Sequence, residues 1–181
     1  MRKSWAVLTA AVVVGGCGVG AQDEPHAVTL PRHALTSPGV GQVEPVGDVA
    51  QVLCLVRDGR LVQTVRRTQS YPSAQTQLNS LVSGPNAAER ATGLTTTLTG
   101  LTLTARGISG AEATVEFPDI NPRSDEPTIF AQIVCTLTAR PDVAEVSFIR
   151  DGQRLEVPRA DNTLTNAPLR SSDYAEMLQP G

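Results

Sequence analysis

Pro127 to Ala139 reads P-T-I-F-A-Q-I-V-C-T-L-T-A, and this stretch decides the fold. Ile129, Phe130, Ile133, Val134 and Leu137 recur at helical spacing. At about 100° per residue they fall within an arc of roughly 140°, one apolar side of a helix that a sheet or a second helix must cover. Ser124, Asp125 and Glu126 stand just before Pro127, where orphan amide donors and the positive end of the helix dipole favour them. Pro141 stops the helix just beyond Arg140. The spacing therefore predicts a core helix.

On its N-terminal side, Ala111 to Phe117 alternates Ala113, Val115 and Phe117 with Glu112, Thr114 and Glu116, a strand with one wet face. The polar loop Asp119 to Glu126 leads from it into the helix. On the C-terminal side, Val143 to Ile149, Asp151-Gly152 and Arg154 to Val157 read as strand, turn and strand, because Gly tolerates the positive φ of a two-residue hairpin. The same pattern stands earlier, in Gln51 to Val56, Asp58-Gly59 and Leu61 to Arg67. The first of these strands is apolar on both faces, which predicts a central position. A helix from Pro72 to Ser83 follows, with Ala74, Leu78, Leu81 and Val82 on one side; Gly84-Pro85 ends it, and Asn86 to Thr92 reads as a further helical turn. Thr95 to Thr104 is Thr-rich and apolar by turns, which favours a half-exposed strand over a sugar-binding row. Near the end, Asp173 to Glu176 has a capping-box spacing that lets Tyr174, Met177 and Leu178 pack on one side.

The fold class that follows is α+β, a single small domain of two helices on a mixed β-sheet with two Asp-Gly hairpins, spanning 49–158. A C-terminal extension, 159–181, packs on it. The chain of 181 residues has room for one such core after a leader and linker are removed. Aromatic residues make up only 3%, so the core is built from Val, Leu, Ile and Ala, and a stacked-aromatic binding surface is not expected. The formal net charge is -3. Without Arg2 and Lys3 the balance is more acidic still, which argues against a nucleic-acid partner.

Residues 1–16 carry two basic residues and then a short apolar run from Ala6 to Val14, too short to span a bilayer and suited to a secretory signal. Val14-Gly15-Gly16-Cys17 resembles a bacterial lipoprotein signal, which implies cleavage before Cys17 and a diacylglyceryl thioether on its sulfur. Two or more acyl chains hold a protein stably at about 0.8 kcal/mol per buried methylene, so membrane attachment at the extracytoplasmic face is expected. Residues 17–48, with Pro25, Pro31, Pro38 and Pro45, read as a flexible tether averaging on the order of 30 Å end to end. His26 and His33 both fall in it. Seven positions apart with no neighbouring Cys, they are read as solvated side chains and not as metal ligands.

Two stretches resemble the GerMN domain, named from the sporulation and germination protein GerM: L-V-S-G-P-N-A-A-E-R-A-T-G-L from Leu81 to Leu94, and A-Q-I-V-C-T-L-T from Ala131 to Thr138. A D-G-x-L-V turn before the first, a V-x-F strand between them and V-A-E-V-S-F-I-R-D-G-Q after the second agree in spacing. The resemblance covers Gln51 to about Val157. It implies an α/β domain of two helices on a small mixed sheet, often exported or lipid-anchored, and in actinobacteria one relative works with a two-component sensor kinase. Cys54 stands where the family pattern has an aromatic residue.

Catalytic motifs are weak. With both histidines in the tether, a Ser-His-Asp or Cys-His arrangement lacks its base, and no P-loop, G-x-G-x-x-G or zinc spacing is present. No cofactor or metal is expected. Glu112 with Glu116, or Asp125 with Glu126, could serve as acid and base only if each pair met in a cleft; the plainer reading is a wet strand face and a helix-start cluster. Cys54 and Cys135 are the remaining thiols, and an oxidising compartment makes a bridge chemically available. It would close a loop of about eighty residues and stabilise by on the order of 4 kcal/mol. Against it, Cys135 lies about 170° from the centre of the apolar arc, and two small buried thiols are the alternative. The functional expectation is a lipid-anchored, non-enzymatic interaction module with an envelope protein partner, in sporulation, germination or signalling. The alternatives are an accessory regulator of a membrane sensor kinase, a cell-wall-binding protein, or a carboxylate-dependent glycan hydrolase.

Overall fold

The computed structural model describes residues 47–117 and 126–179. The leader, Cys17, His26, His33 and nearly all of the tether lie outside the described residues, as does Asp125. Strands β1 (Val49–Arg57) and β2 (Arg60–Thr68) open the domain, followed by helix α1 (Ala74–Ser83) and the single turn α2 (Ala87–Ala91). Strands β3 (Thr104–Ser109) and β4 (Glu112–Glu116) precede helix α3 (Pro127–Thr138). After it come β5 (Glu145–Arg150), β6 (Gln153–Arg154), β7 (Val157–Pro158), β8 (Leu164–Thr165) and a 3-10 helix, Ser171–Met177.

A mixed sheet of order β3-β4-β5-β6 forms the larger layer. Its parallel pair is β4 with β5, in register from Glu112 opposite Glu145 to Glu116 opposite Ile149. A parallel pair needs a long crossover, and α3 lies between the two strands in the chain. Ala113, Val115 and Phe117 are buried, as are Val146 and Phe148. The chain's three phenylalanines meet here: Phe130 of α3 lies 5.4 Å from Phe117 and 5.0 Å from Phe148, centroid to centroid. Tilted and edge-on pairs of this kind contribute roughly 0.5–1.5 kcal/mol each beyond their buried area.

Helix α3 is more enclosed than its periodicity predicts. All nine residues from Ile129 to Leu137 are buried, including Gln132, Cys135 and Thr136 on the side opposite the apolar arc. That side does not face water because it meets β1. The Cys54 N–H donates to Thr136 Oγ1 at 3.0 Å, and Gln132 Nε2 donates to the Cys54 carbonyl at 2.9 Å. Two short polar side chains thereby satisfy a strand edge that would otherwise be buried and unpaired.

The first hairpin forms as its Asp-Gly turn predicts, with φ of 51° at Asp58 and 74° at Gly59 and Arg57 opposite Arg60. It is, however, a two-stranded sheet of its own. The expectation that β1 is a central strand is thus corrected: its hydrophobicity on both faces reflects cover by helices, and its outer groups bond to α3 at Cys54 and to Thr95 at Val56, not to a third strand.

Three further boundaries move. Helix α1 starts at Ala74, because the Ser73 hydroxyl caps it by accepting from the Thr76 N–H at 3.1 Å, so Pro72 stays outside. Of Thr95 to Thr104 only Thr104 lies in a strand, as the first residue of β3: after the bridge to Val56 the rest runs as irregular chain with a turn at Gly100, held by the buried Leu98 and Leu103. The second Asp-Gly hairpin keeps only Gln153–Arg154 as its return strand, and Val157–Pro158 pairs instead with Leu164–Thr165. In the C-terminal segment Asp173 is not the cap residue. It sits one turn inside, its carboxylate accepting from the Arg170 N–H at 2.7 Å. Tyr174 is buried and donates from its hydroxyl to the Pro158 carbonyl at 2.7 Å, which satisfies the one polar atom that the ring carries inward.

Candidate functional site

The first of the two family-like stretches folds into a corner. Helix α1 ends at Gly84, whose φ of +76° is left-handed and whose missing Cβ would meet Thr96 Cγ2 at 2.9 Å, so no larger residue fits there without a shift. Asn86 then caps α2: its side chain accepts from the Glu89 N–H at 2.9 Å, and Glu89 Oε2 accepts from the Asn86 N–H at 2.7 Å. Arg66 of β2 reaches across to this turn, donating to both Glu89 oxygens at 3.0 and 2.6 Å and to the Gly84 carbonyl at 2.8 Å. The Arg66 guanidinium, foremost among several contacts, holds the Glu89 carboxyl below its ordinary value. Beside the corner is an open groove of about 470 Å³ whose lining includes Ser83, Pro85, Arg90, Leu94, Thr95 and Thr96.

The second stretch supplies the link between layers. Gln132 is fully buried; its Nε2 serves the Cys54 carbonyl while its Oε1 accepts from the Thr97 N–H at 3.0 Å and the Thr97 hydroxyl at 2.7 Å. Three positions on, Cys135 is joined to Cys54 by a disulfide with the Cα atoms 5.9 Å apart. The angular objection to that pairing loses its force because α3 is covered on every side. At the C-terminal end of α3, Arg140 is buried and bonds to Pro72, Gln77 and Asp142 with its guanidinium 4.8 Å from the Tyr71 ring centre. Nothing in the sequence marks Arg140 as a buried cation, since charge and position beside Pro141 read as a solvated helix end.

Of the candidate carboxylates, Glu112 and Glu116 are held by different partners. Glu112 accepts from Ser147 Oγ and from Arg154 Nη2, the latter at 3.1 Å. Glu116 pairs with Arg106 instead. The two stand four residues apart on β4, each beside its own arginine. Glu126 stands at the N-cap of α3 without a side-chain bond to it. Among the described residues no three of His, Cys, Asp and Glu converge as metal ligands, and no helix is long and apolar enough to cross a membrane.

Among the described residues, this arrangement ties the hairpin to α3 through Gln132 and the Cys54–Cys135 bridge. No curated protein matches the chain. Among solved structures, the tandem GerMN domains of the sporulation protein GerM from Bacillus subtilis align with a TM-score of 0.54 at 18% identity, over 76% of this chain and 50% of that one. The chain thus spans about half the length of that tandem protein, and at this identity the likeness concerns the fold. The first GerMN domain of the same protein aligns at 21% identity over 59% of this chain and 86% of that one, with a TM-score of 0.49. The model of the family described as Germane, sporulation and spore germination, matches residues 43–156, a span that takes in both hairpins, the Arg66–Glu89 corner and the whole of α3, and the chain belongs to that family.

Proposed function

We propose that this protein is a lipid-anchored, extracytoplasmic GerMN-domain module that binds an envelope protein without catalysing a reaction. The family match over 43–156 carries the reading, since it places the domain among sporulation and spore-germination proteins. The lipoprotein-like Val14 to Cys17 segment supports the anchor, and a Pro-containing linker of some thirty residues gives the domain reach from a lipid surface. The pairing of Glu112 and Glu116 with separate arginines supports a binding role over a carboxylate hydrolase.

The test is crosslinking of the anchored protein in living cells, followed by mass spectrometry of what is attached. Recovery of a defined membrane or septal protein is the expected result. Recovery of cell-wall glycan or peptide fragments alone would overturn the protein-partner reading in favour of wall binding.

A further inference from the structure

Strands β3 of the mixed sheet and β2 of the hairpin are both edge strands, and their edges differ. On β3 the ladder is interrupted by a bulge between Ala105 and Gly107, and the Gln75 side chain of α1 takes both the Leu103 carbonyl and the Ala105 N–H. Bulges and covered backbone groups are ways in which proteins keep an edge from pairing with another chain. The ladder of β2 with β1 runs through nine pairs without a bulge. Arg57 and Arg60 close its two-residue turn, so theirs is a hydrogen-bonded pair, and the groups of Val62, Thr64 and Arg66 also point toward β1. Those of Leu61, Gln63, Val65 and Arg67 point away. The Leu61 carbonyl accepts from the Gln179 N–H at 2.8 Å, whereas among the described residues the N–H and C=O of Gln63, Val65 and Arg67 have no backbone partner. Val65, at the middle of this row, is 60% exposed.

We propose that β2 pairs antiparallel with the same strand of a second copy of this chain, about a two-fold axis at Val65. The register follows from the free positions. With Val65 opposite the partner's Val65, Gln63 lies opposite the partner's Arg67, all three outward positions are used and no like charges face each other. A shift of one step toward the turn requires Leu61, already held by Gln179. A shift the other way sets Arg66 against the partner's Arg66. The occupant is a second copy and not an acidic peptide because the arginines of the hairpin are already engaged: Arg57 with Gln179, Arg60 with the Glu176 carbonyl, Arg66 with Glu89 and Arg67 with the Asp48 carbonyl. Pairing covers Val65 and turns a two-stranded sheet, marginal by itself, into one of four strands. The overlap is short and buries less than the roughly 1,200 Å² of stable complexes, so the dimer is weak and depends on concentration.

The test uses the full-length chain with single engineered cysteines, oxidised and separated without reductant, with the parent chain setting the background from Cys17. Val65→Cys is expected to crosslink to its own copy, because paired Cα atoms lie about 5.5 Å apart, within reach of a disulfide. Gln63→Cys and Arg67→Cys should crosslink to each other when mixed and not to themselves. Val65→Pro, tolerable at an outward position of an edge strand, should keep the thermal transition and abolish the rise of sedimentation coefficient with concentration. Equal crosslinking at all three positions overturns the proposal. So does a sedimentation coefficient that stays that of a monomer at every concentration, whether or not a segment of another protein binds the edge.

Discussion

Gln132 Nε2 donates to the Cys54 carbonyl at 2.9 Å, so a helix side chain occupies a place on the edge of β1 that another strand could have taken. The same side chain accepts from Thr97, and one buried carboxamide therefore holds the hairpin, the loop after α2 and α3 in one arrangement. Gln132→Leu fills the space but leaves the Cys54 carbonyl and the Thr97 N–H without their partner. Each buried unpaired group costs about 1–3 kcal/mol, so a loss of at least 2 kcal/mol by urea denaturation is expected. Gln132→Glu gives a sharper result. A protonated carboxyl can accept from Thr97 and donate to Cys54, while a buried carboxylate cannot donate, so burial raises the folded-state pKa of that group. Its stability is then greatest below the unfolded value and falls as pH rises through the folded one. The variant should be less damaged at about pH 5 than at about pH 8 relative to the parent; an equal loss at both would mean that Gln132 acts by volume alone.

The Cys54–Cys135 bridge joins β1 to α3 across 81 positions of the chain. In the chain-entropy account a loop of that length stabilises by about 4 kcal/mol. Unfolding with and without reductant should differ by that order, and alkylation of the denatured, unreduced protein should leave both cysteines unmodified. Two alkyl groups on them would show free thiols instead.

How far the sequence could be read depended on how local the cause was. The Asp58-Gly59 and Asp151-Gly152 turns, the strand with alternating Ala113, Val115 and Phe117, and the ends of α3 are set by near neighbours, and all are where the pattern puts them. What periodicity could not carry was the second side of α3. Gln132, Cys135 and Thr136 have the composition of a wet face, and only the presence of β1 makes them buried. The threonine run failed for a related reason: Cys54 is already occupied by α3, so β1 offers Thr95 a single bridge and no longer ladder. Arg66 and Glu89, separated by 23 positions, were legible singly as part of a strand and part of a short helical turn, but nothing in spacing pairs them.

That pair gives a pH dependence. Glu89 is half-buried, and its carboxyl is held below the ordinary value of 4.5, chiefly by Arg66. A depressed folded pKa means stability that is fully present above about 4.5 and is lost as pH falls through the lower, folded value. Glu89→Gln removes the charge and should flatten this part of the acid-unfolding curve, with the largest difference from the parent at neutral pH. Since Arg66 also serves the Gly84 carbonyl, Arg66→Met should cost more than Glu89→Gln, by about 1 kcal/mol, as one more polar group loses its partner.

Glu112→Gln and Glu116→Gln separate a binding module from a glycan hydrolase. Each carboxylate is partly exposed and paired with an exposed arginine, contacts that contribute about 0–1 kcal/mol. Both variants should therefore fold with stability near that of the parent. If the domain turns over no cell-wall glycan, neither substitution changes that; turnover by the parent that either variant abolishes would establish the hydrolase.

Cys17→Ser tests the anchor, since Cys17 lies outside residues 49–158 in the chain. A lone acyl chain binds a bilayer only marginally, and the stable attachment proposed requires the diacylglyceryl group together with further acylation of the cleaved terminus, both of which depend on that sulfur and the processing it directs. The expected outcome is loss of the protein from the detergent-extractable membrane fraction, with the parent retained there through high-salt washing because the proposed attachment is apolar and not electrostatic. Salt release of the parent, or membrane retention of Cys17→Ser in the same wash, would place the attachment in the domain surface or in the apolar run Ala6 to Val14.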